Sequence, residues 1–371
     1  MSNDGVHRTG FPRETRAVSR ISEGERRLNV EPQVSIVVVP RERFSLARKG
    51  LERLLQHTAL PFNLIYVDGG SPPTVQRYLR TQAERKNFRL LRTDHYLSPN
   101  QARNLGLRLV ESKYLVFLDN DVFVTPGWLE ALVECADTTD AWVVAPLYCV
   151  GDPEPETVHM GGGRVHIQED GGKRYLSQRH DFAGVPLQDA LPHLHRQPTG
   201  YAEFHCVLAK TEVFRRLGPL DEGLPAVYEH LDFALNVREA GGSIYLEPRA
   251  IVTYVDFPVL DLRIYFSPFF LLRWSDARIR RSIDRFREKW RLSDDDPALP
   301  KTYFGFTRYR QGYLRPLRWR GGPLGRRLSE TVLQPLEIGV NRWLINHFPR
   351  PEKSERDALL TAGLPPARIQ G

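Results

Sequence analysis

From Val34 onward, short apolar runs alternate with segments whose apolar residues recur every three or four positions. Val34-Ser35-Ile36-Val37-Val38-Val39-Pro40 is a continuous β-branched run, the pattern of a strand buried on both faces. Phe44, Ala47, Leu51, Leu54 and Leu55 then share one helical stripe. Leu64–Val67 reads as a second buried strand ending at Asp68-Gly69-Gly70-Ser71, and a helix with Val75, Tyr78, Leu79 and Ala83 on one face follows. A short strand at Leu90-Leu91 leads to a helix carrying Ala102, Leu105, Leu109 and Val110. Tyr114–Leu118 is a strand that runs into Asp119-Asn120-Asp121, and a helix near 126–136 precedes the strand Trp142–Val144. Buried strands alternating with amphipathic helices predict βαβ units: an α/β, Rossmann-like, mostly parallel sheet flanked by helices.

The second half is less regular. Residues 151–198 are rich in Gly, His and charge and read as a loop region. Ala202–Leu208 is strand-like, Thr211–Leu217 a short helix, and Tyr228–Ala240 a helix closed by Gly241-Gly242. Strands are expected near 244–246 and 251–253, then basic helices over 262–290. Seven arginines lie between Arg308 and Arg327, ahead of an amphipathic helix over Leu328–Phe348 broken or begun by Pro335. Residues 1–32 are polar, Arg-rich and aperiodic and are expected to be disordered. The expected organisation is a catalytic domain over 33–260, in halves 33–150 and 151–260, with a helical, basic extension over 261–371.

At 371 residues, with 41% hydrophobic and 26% charged content, the chain can bury a core without staples. Cys135, Cys149 and Cys206 are few and scattered, so no disulfide framework or zinc motif is indicated. No run reaches the ~20 apolar residues of a membrane span. A cytoplasmic location is expected. The net charge of +7 favours anionic partners without choosing among them.

Chemistry concentrates at strand ends. Asp119 and Asp121, delivered by a buried strand into a turn, can hold a hard divalent cation, Mg²⁺ or Mn²⁺, against a diphosphate. An isolated Asp-x-Asp is as readily a polar turn; the buried strand ahead of it favours the ligand role. Five ordered motifs together resemble the inverting glycosyltransferases of family two, whose fold is the GT-A nucleotide-binding α/β domain. Val37–Pro40 is similar to the family's first strand and turn, and Val67-Asp68-Gly69-Gly70-Ser71 to its V-D-[DN]-G-S. Asn100-Gln101-Ala102-Arg103-Asn104-Leu105-Gly106 resembles A-R-N-x-G, Asp119-Asn120-Asp121 the DxD, and Gly218–Glu222 the turn ahead of the acceptor-side helix.

The resemblance implies a nucleotide-sugar donor, with a UDP-sugar foremost, bound by Pro40, Asp68, Asn100, Arg103, Asn104, Asp119, Asn120 and Asp121. Asp119 and Asp121 would carry the metal. It implies inverting transfer to a glycan, lipid-linked or other hydroxyl acceptor.

Two positions depart from the pattern. The family's Glu-Asp-x-Asp is Glu229-His230-Leu231-Asp232 here, so the catalytic base is open among Glu229, His230 and Asp232. A histidine suits base chemistry near neutral pH. Where metal-dependent relatives place a late-strand histidine, this chain has Tyr254. His159, His166 and His205 could substitute, although each alone is more readily structural. Glu203 is expected to face acceptor, or solvent.

The basic tail with Trp319, Trp343, Leu344, Ile345 and Phe348 would suit contact with an anionic membrane at its inner face. No nucleic-acid module is present. Rival readings are nucleotidyl transfer, disfavoured because Pro40-Arg41-Glu42-Arg43 has no glycine for a triphosphate loop, and an inactive sugar- or lipid-binding scaffold.

Overall fold

The computed structural model describes residues 32–41, 43–152, 154–255 and 262–347, all within one compact unit. Residues 1–31 of the segment expected to be disordered lie outside these, as does Phe348.

The first half alternates as the sequence pattern predicts: β1 (Val34–Val39), α1 (Ala47–His57), β2 (Phe62–Gly69), α2 (Pro73–Lys86), β3 (Arg89–Thr93), α3 (Pro99–Leu107) and β4 (Tyr114–Asp119). Short β5 (Val122–Val124), α4 (Trp128–Thr139) and β6 (Val143–Gly151) complete it. Every residue of β1 and β4 is buried, which is why both read as unbroken apolar runs.

Residues 151–198 correct the expectation of a loop. They hold β7 (Pro155–Met160), the hairpin β8 (Gly163–Asp170) and β9 (Lys173–His180), the single turn α5 (Leu187–Ala190), and β10 (Gln197–Pro198). The hairpin escaped notice because only its first residues alternate between buried and exposed; its outer end is polar on both faces. Gly161-Gly162-Gly163 is a tight crossing, not a flexible loop. A Cβ on Gly163 would lie 2.7 Å from the Tyr201 ring, and Gly162 has φ +92°. Next come β11 (Cys206–Lys210), α6 (Thr211–Leu217), α7 (Glu229–Glu239) and β12 (Ile244–Tyr254). β12 is one strand where two were expected, irregular in register between Glu247 and Ile251. Helices α8 (Leu262–Tyr265), α9 (Pro268–Arg273), α10 (Asp276–Trp290) and α11 (Ala298–Arg310) follow, then α12 (Arg315–Arg320), α13 (Gly322–Leu328) and α14 (Gln334–His347).

Among the described residues, ten strands form one sheet in the order β10-β12-β6-β11-β4-β1-β2-β3, with β5 beside β12 and β7 beside β6. Strands β1 to β4 pair in parallel, as do β6 and β12; β11 runs antiparallel between β4 and β6. This mixed sheet flanked by helices is the GT-A-like α/β architecture expected. The chain moves from β1 outward to β2 and β3, then returns to β4 on the other side of β1. A crevice therefore opens at the carboxyl ends of β1 and β4, where doubly wound sheets take ligands.

Two glycines set the helices around that crevice. A Cβ on Gly50 of α1 would lie 2.5 Å from the Asn120 carbonyl, and one on Gly106 of α3 would lie 2.3 Å from Val37. Cys135, Cys149 and Cys206 are all buried, free thiols.

Candidate functional site

The turn after β4 is pinned to the end of β1. The Asn120 amide donates to the Val39 carbonyl, and the Arg41 amide donates to Asn120 Oδ1 at 2.8 Å. Of the triplet, Asp121 lines a cavity of about 420 Å³, where Arg43 Nε stands 3.8 Å from its carboxylate.

Asp119 is 1% exposed and surrounded by cations and an imidazole. Arg41 is 3.0 Å from Oδ2, Arg103 is 3.3 Å from Oδ1, and His205 Nδ1 is 3.4 Å from Oδ2. Burial would raise its carboxyl pKa, but Arg41 foremost, with His205 and Arg103, holds it below the ordinary carboxylate value.

The motif of α3 ties elements together. Arg103, fully buried, reaches Asp119, Asn100 Oδ1 and the Phe204 carbonyl, and its guanidinium lies 4.3 Å over the Phe204 ring. Burial lowers Arg103 to about 10, although Asp119 works against the shift, so it stays cationic at neutral pH. Asn104 donates to the Leu220 carbonyl and to Glu222 and accepts from the Leu220 amide, each at 2.9 Å. Asn100 donates to the Asp221 carbonyl at 2.8 Å. These two asparagines hold the 218–222 turn and do not line the cavity.

Asp68 sits at the same edge of the sheet, on the far side of β1, outside the cavity. Its carboxylate accepts from the Ser71 amide and hydroxyl and pairs with Arg92. Pro40 packs over Gly69 beside it. The strand tips at 68 and 121 therefore share an edge, and only Asp121 meets the α7 start in one cavity.

Helix α7 begins at that cavity. Tyr228, just before it, adopts φ +69°, uncommon for an aromatic residue and strained. Its hydroxyl donates to Thr302 at 2.7 Å and its ring stacks on Phe286 at 4.5 Å, so α10 and α11 hold the turn. Glu229 and His230 line the cavity. Glu229 Oε1 lies 3.6 Å from Arg273, while its Oε2 and His230 Nε2 are buried without a hydrogen-bond partner among the described residues. Burial lowers the His230 pKa, with Glu203 and Glu229 opposing, so the imidazole is neutral at neutral pH.

Asp232 points elsewhere. Its carboxylate accepts from Lys289 Nζ at 2.8 Å and Trp290 Nε1 at 2.9 Å, locking α7 to α10 away from the cavity.

The opposite wall was only partly visible in sequence. His159, His180, Glu203, His205 and Tyr254 all line it. His166, by contrast, is exposed on the β8 side of the hairpin. Arg273, Trp274, Thr302, Phe306 and Tyr309, from the C-terminal helices, close the cavity. Sequence reading missed these five, because their spacing marks only helices; the one signal was the density of aromatics among basic residues.

Residues 35–218 match the model described as Glycosyl transferase family 2. The chain carries a family 2 glycosyl transferase domain. It is 28% identical over 223 residues to the pre-mycofactocin glycosyltransferase of Mycobacterium tuberculosis, covering 60% of this chain and 42% of that protein. The O-antigen biosynthesis protein RfbC of Myxococcus xanthus is 26% identical over 57% of this chain and 16% of its own length. The hyaluronan synthase of Pasteurella multocida is 28% identical over 33% of this chain and 13% of its own length. The chain thus spans less than half the length of these relatives. A crystal structure of GalNAc-T7 with UDP, GalNAc and Mn²⁺ aligns with TM-score 0.49 at 15% identity, over 90% of this chain and 58% of that one. Among the described residues no helix is long and apolar enough to cross a membrane.

Proposed function

We propose that this family 2 domain transfers a sugar from a nucleoside diphosphate donor, a UDP-sugar foremost, to a hydroxyl acceptor with inversion at the anomeric carbon. The observation that carries this reading is the joint placement of Asp121, Glu229 and His230 on one cavity at the β1/β4 crevice. Arg41, Arg43 and Arg273 line the same cavity, and guanidinium groups suit the charge that builds on a departing diphosphate.

His230 is the preferred base. Its ring is neutral, its Nε2 has no hydrogen-bond partner among the described residues, and an unmade bond at a buried polar atom costs about 1–3 kcal/mol that a ligand hydroxyl would recover. Glu229, paired with Arg273, would orient the acceptor or serve as base in its place. Asp232 is assigned a structural role, since Lys289 and Trp290 occupy its carboxylate. Asn100, Arg103 and Asn104 would shape the donor site by fixing α3 and the 218–222 turn, with Asp68, Pro40 and Asn120 framing its nucleotide end. A divalent cation beside the diphosphate, Mg²⁺ or Mn²⁺ in the first expectation, would supply Lewis-acid stabilisation of the leaving group. Asp121 fits such a cation better than Asp119, whose two oxygens already face Arg41, Arg103 and His205.

The acceptor is read as glycan or lipid-linked, with the C-terminal helices resting on an anionic membrane. Leu328, Val332, Leu336, Val340 and Trp343 are exposed at spacings of three and four, and Trp319 is 92% exposed among Arg315, Arg318 and Arg320.

A panel of UDP-, dTDP- and GDP-sugars tests the reading, with nucleoside diphosphate release measured in Mn²⁺ or Mg²⁺ and the product anomer read by NMR. Release by the wild type that falls at least about a hundredfold in Asp121→Ala supports it. A panel with no binding or release in any member sinks it. Donor binding without turnover would establish the scaffold alternative.

A further inference from the structure

Opposite the α7 start, three imidazoles converge on one carboxylate, with His180 Nε2 3.6 Å from Glu203 Oε1. His159 Nε2 stands 3.0 Å and His205 Nε2 3.4 Å from the same oxygen, Glu203 Oε2. One donor atom from each of His159, Glu203 and His205 lies within 4.8 Å of the others. A tetrahedral ion with bonds near 2.05 Å separates its ligand atoms by about 3.3 Å, so these three groups need little movement to share one.

The far side of each ring is also engaged. Tyr254 Oη lies 2.9 Å from His159 Nδ1, and Asp119 Oδ2 lies 3.4 Å from His205 Nδ1. Liganding histidines characteristically have the non-liganding nitrogen tied to a carboxylate or another polar group, which sets tautomer and ring direction. His159 has that second partner in Tyr254, whereas His205 Nδ1 faces the Asp119 carboxylate without a hydrogen bond among the described residues; both rings present Nε2 inward. The Tyr254 ring also stacks on His205, with centroids 4.7 Å apart.

We propose that His159, Glu203 and His205 form a binding site for one transition-metal cation of the Zn²⁺, Co²⁺ or Mn²⁺ class, distinct from the Asp119-Asn120-Asp121 triplet. This deepens the glycosyl-transfer reading by adding a second cation site to its cavity, apart from the one assigned to Asp121, but it stands on the ligand geometry and is measurable without any sugar nucleotide. Two imidazoles and one carboxylate favour such ions over Mg²⁺, which prefers oxygen and keeps its waters. The set leaves coordination positions open to the cavity, as catalytic sites do. Asp119 becomes the outer partner of His205, which accounts for a carboxylate that Arg41 and Arg103 already occupy.

The protonation states agree. Burial lowers His205, and the surrounding imidazoles, His159 foremost, hold Glu203 well below the ordinary carboxylate value against its own burial. At neutral pH His205 and Glu203 are therefore deprotonated, as metal binding requires.

The test uses the full chain freed of metal by a chelator and dialysed. Co²⁺ is titrated by its visible d–d absorption and Zn²⁺ by calorimetry, with no nucleotide present. The expected result is one equivalent bound, a strong Co²⁺ band of low coordination number, and no competing heat with Mg²⁺. His159→Gln, Glu203→Gln and His205→Ala should each weaken binding at least about tenfold, and Tyr254→Phe should weaken it less, through the lost outer contact. Asp121→Ala should bind within about threefold of wild type. Melting curves confirm folding, and His159→Gln, at a half-buried position, keeps the test decisive if His205→Ala does not fold. No saturable binding, or binding that survives His159→Gln and is lost in Asp121→Ala, overturns the proposal. Either result leaves the donor-panel test standing on its own.

Discussion

At the residue scale, two acids three positions apart in one motif have different fates. Glu229 faces the cavity, whereas Asp232 is bound by Lys289 and Trp290. Asp232→Ala should therefore cost stability, about 2 kcal/mol in urea denaturation, with turnover per folded molecule changed only a few-fold. His230→Ala should do the opposite: an unchanged midpoint and a fall in kcat of at least about a hundredfold. Reversal of that pattern between the two variants would return Asp232 to the chemistry. The pH profile is a second check. Burial favours the neutral His230 ring, so the active form persists below the ordinary value of 6.5. The rate should rise with pH through an apparent pKa under 6.5 and stay level above it. An acid limb above pH 7, or one unchanged in His230→Ala, would exclude this base.

At the element scale, the site is held by close approach. Helix α1 touches the triplet turn at Gly50, where a methyl group would meet the Asn120 carbonyl at 2.5 Å. Gly50→Ala should displace that turn, cost about 1–3 kcal/mol, and weaken donor binding, seen as a lowered midpoint and a raised KM. An alanine variant of full affinity would show that the contact does not position Asp121. The α7 start depends on α10 and α11 through Tyr228, so Thr302→Val should reduce kcat more than it changes KM.

Much of this was legible in the chain. The buried runs at 34–39 and 114–118 announced parallel strands, and their ends carried the acids, because a strand buried on both faces can be polar only where it leaves the sheet. What was not legible arose from residues distant in sequence. Glu203, His159 and His205 each read as an isolated polar position, and only the pairing of β11 with β4 and β6, and of β7 with β6, brings them together. The function of Asn100 and Asn104 was similarly hidden, since a motif match cannot say whether an amide meets a nucleotide or the turn at Leu220.

At the scale of the whole molecule, the cavity gathers buried imidazoles and ionised acids whose titration sets acid stability. Burial lowers His180, His205 and His230, so below 6.5 the unfolded chain binds protons that the folded chain does not. Asp119 and Glu203, held low by neighbouring cations and imidazoles against their burial, add the same sign at lower pH. Stability contributed by all five is present above their unfolded values and is lost as pH falls. The melting temperature should drop from pH 7.5 to 5, with proton uptake on unfolding in calorimetry; a melting temperature that climbs over this range would refute the burial argument.

Of the C-terminal helices, α9 and α11 serve the cavity, while α12 to α14 present Trp319 and the 328–343 stripe. Sedimentation with anionic vesicles, and not with zwitterionic ones, is expected and should weaken several-fold in Trp319→Ser/Trp343→Ser; equal partition to both vesicle types would argue against a charge-guided contact.

The catalytic expectations presuppose that the sugar nucleotide enters the space between Asp121 and His230. Calorimetric titration of UDP and a UDP-sugar into wild type, Asp121→Ala and the cavity-filling Ala226→Leu decides it. Saturable binding by wild type, weakened at least about tenfold in both folded variants, is the predicted result. Undiminished affinity in both would place the donor elsewhere and contradict the account.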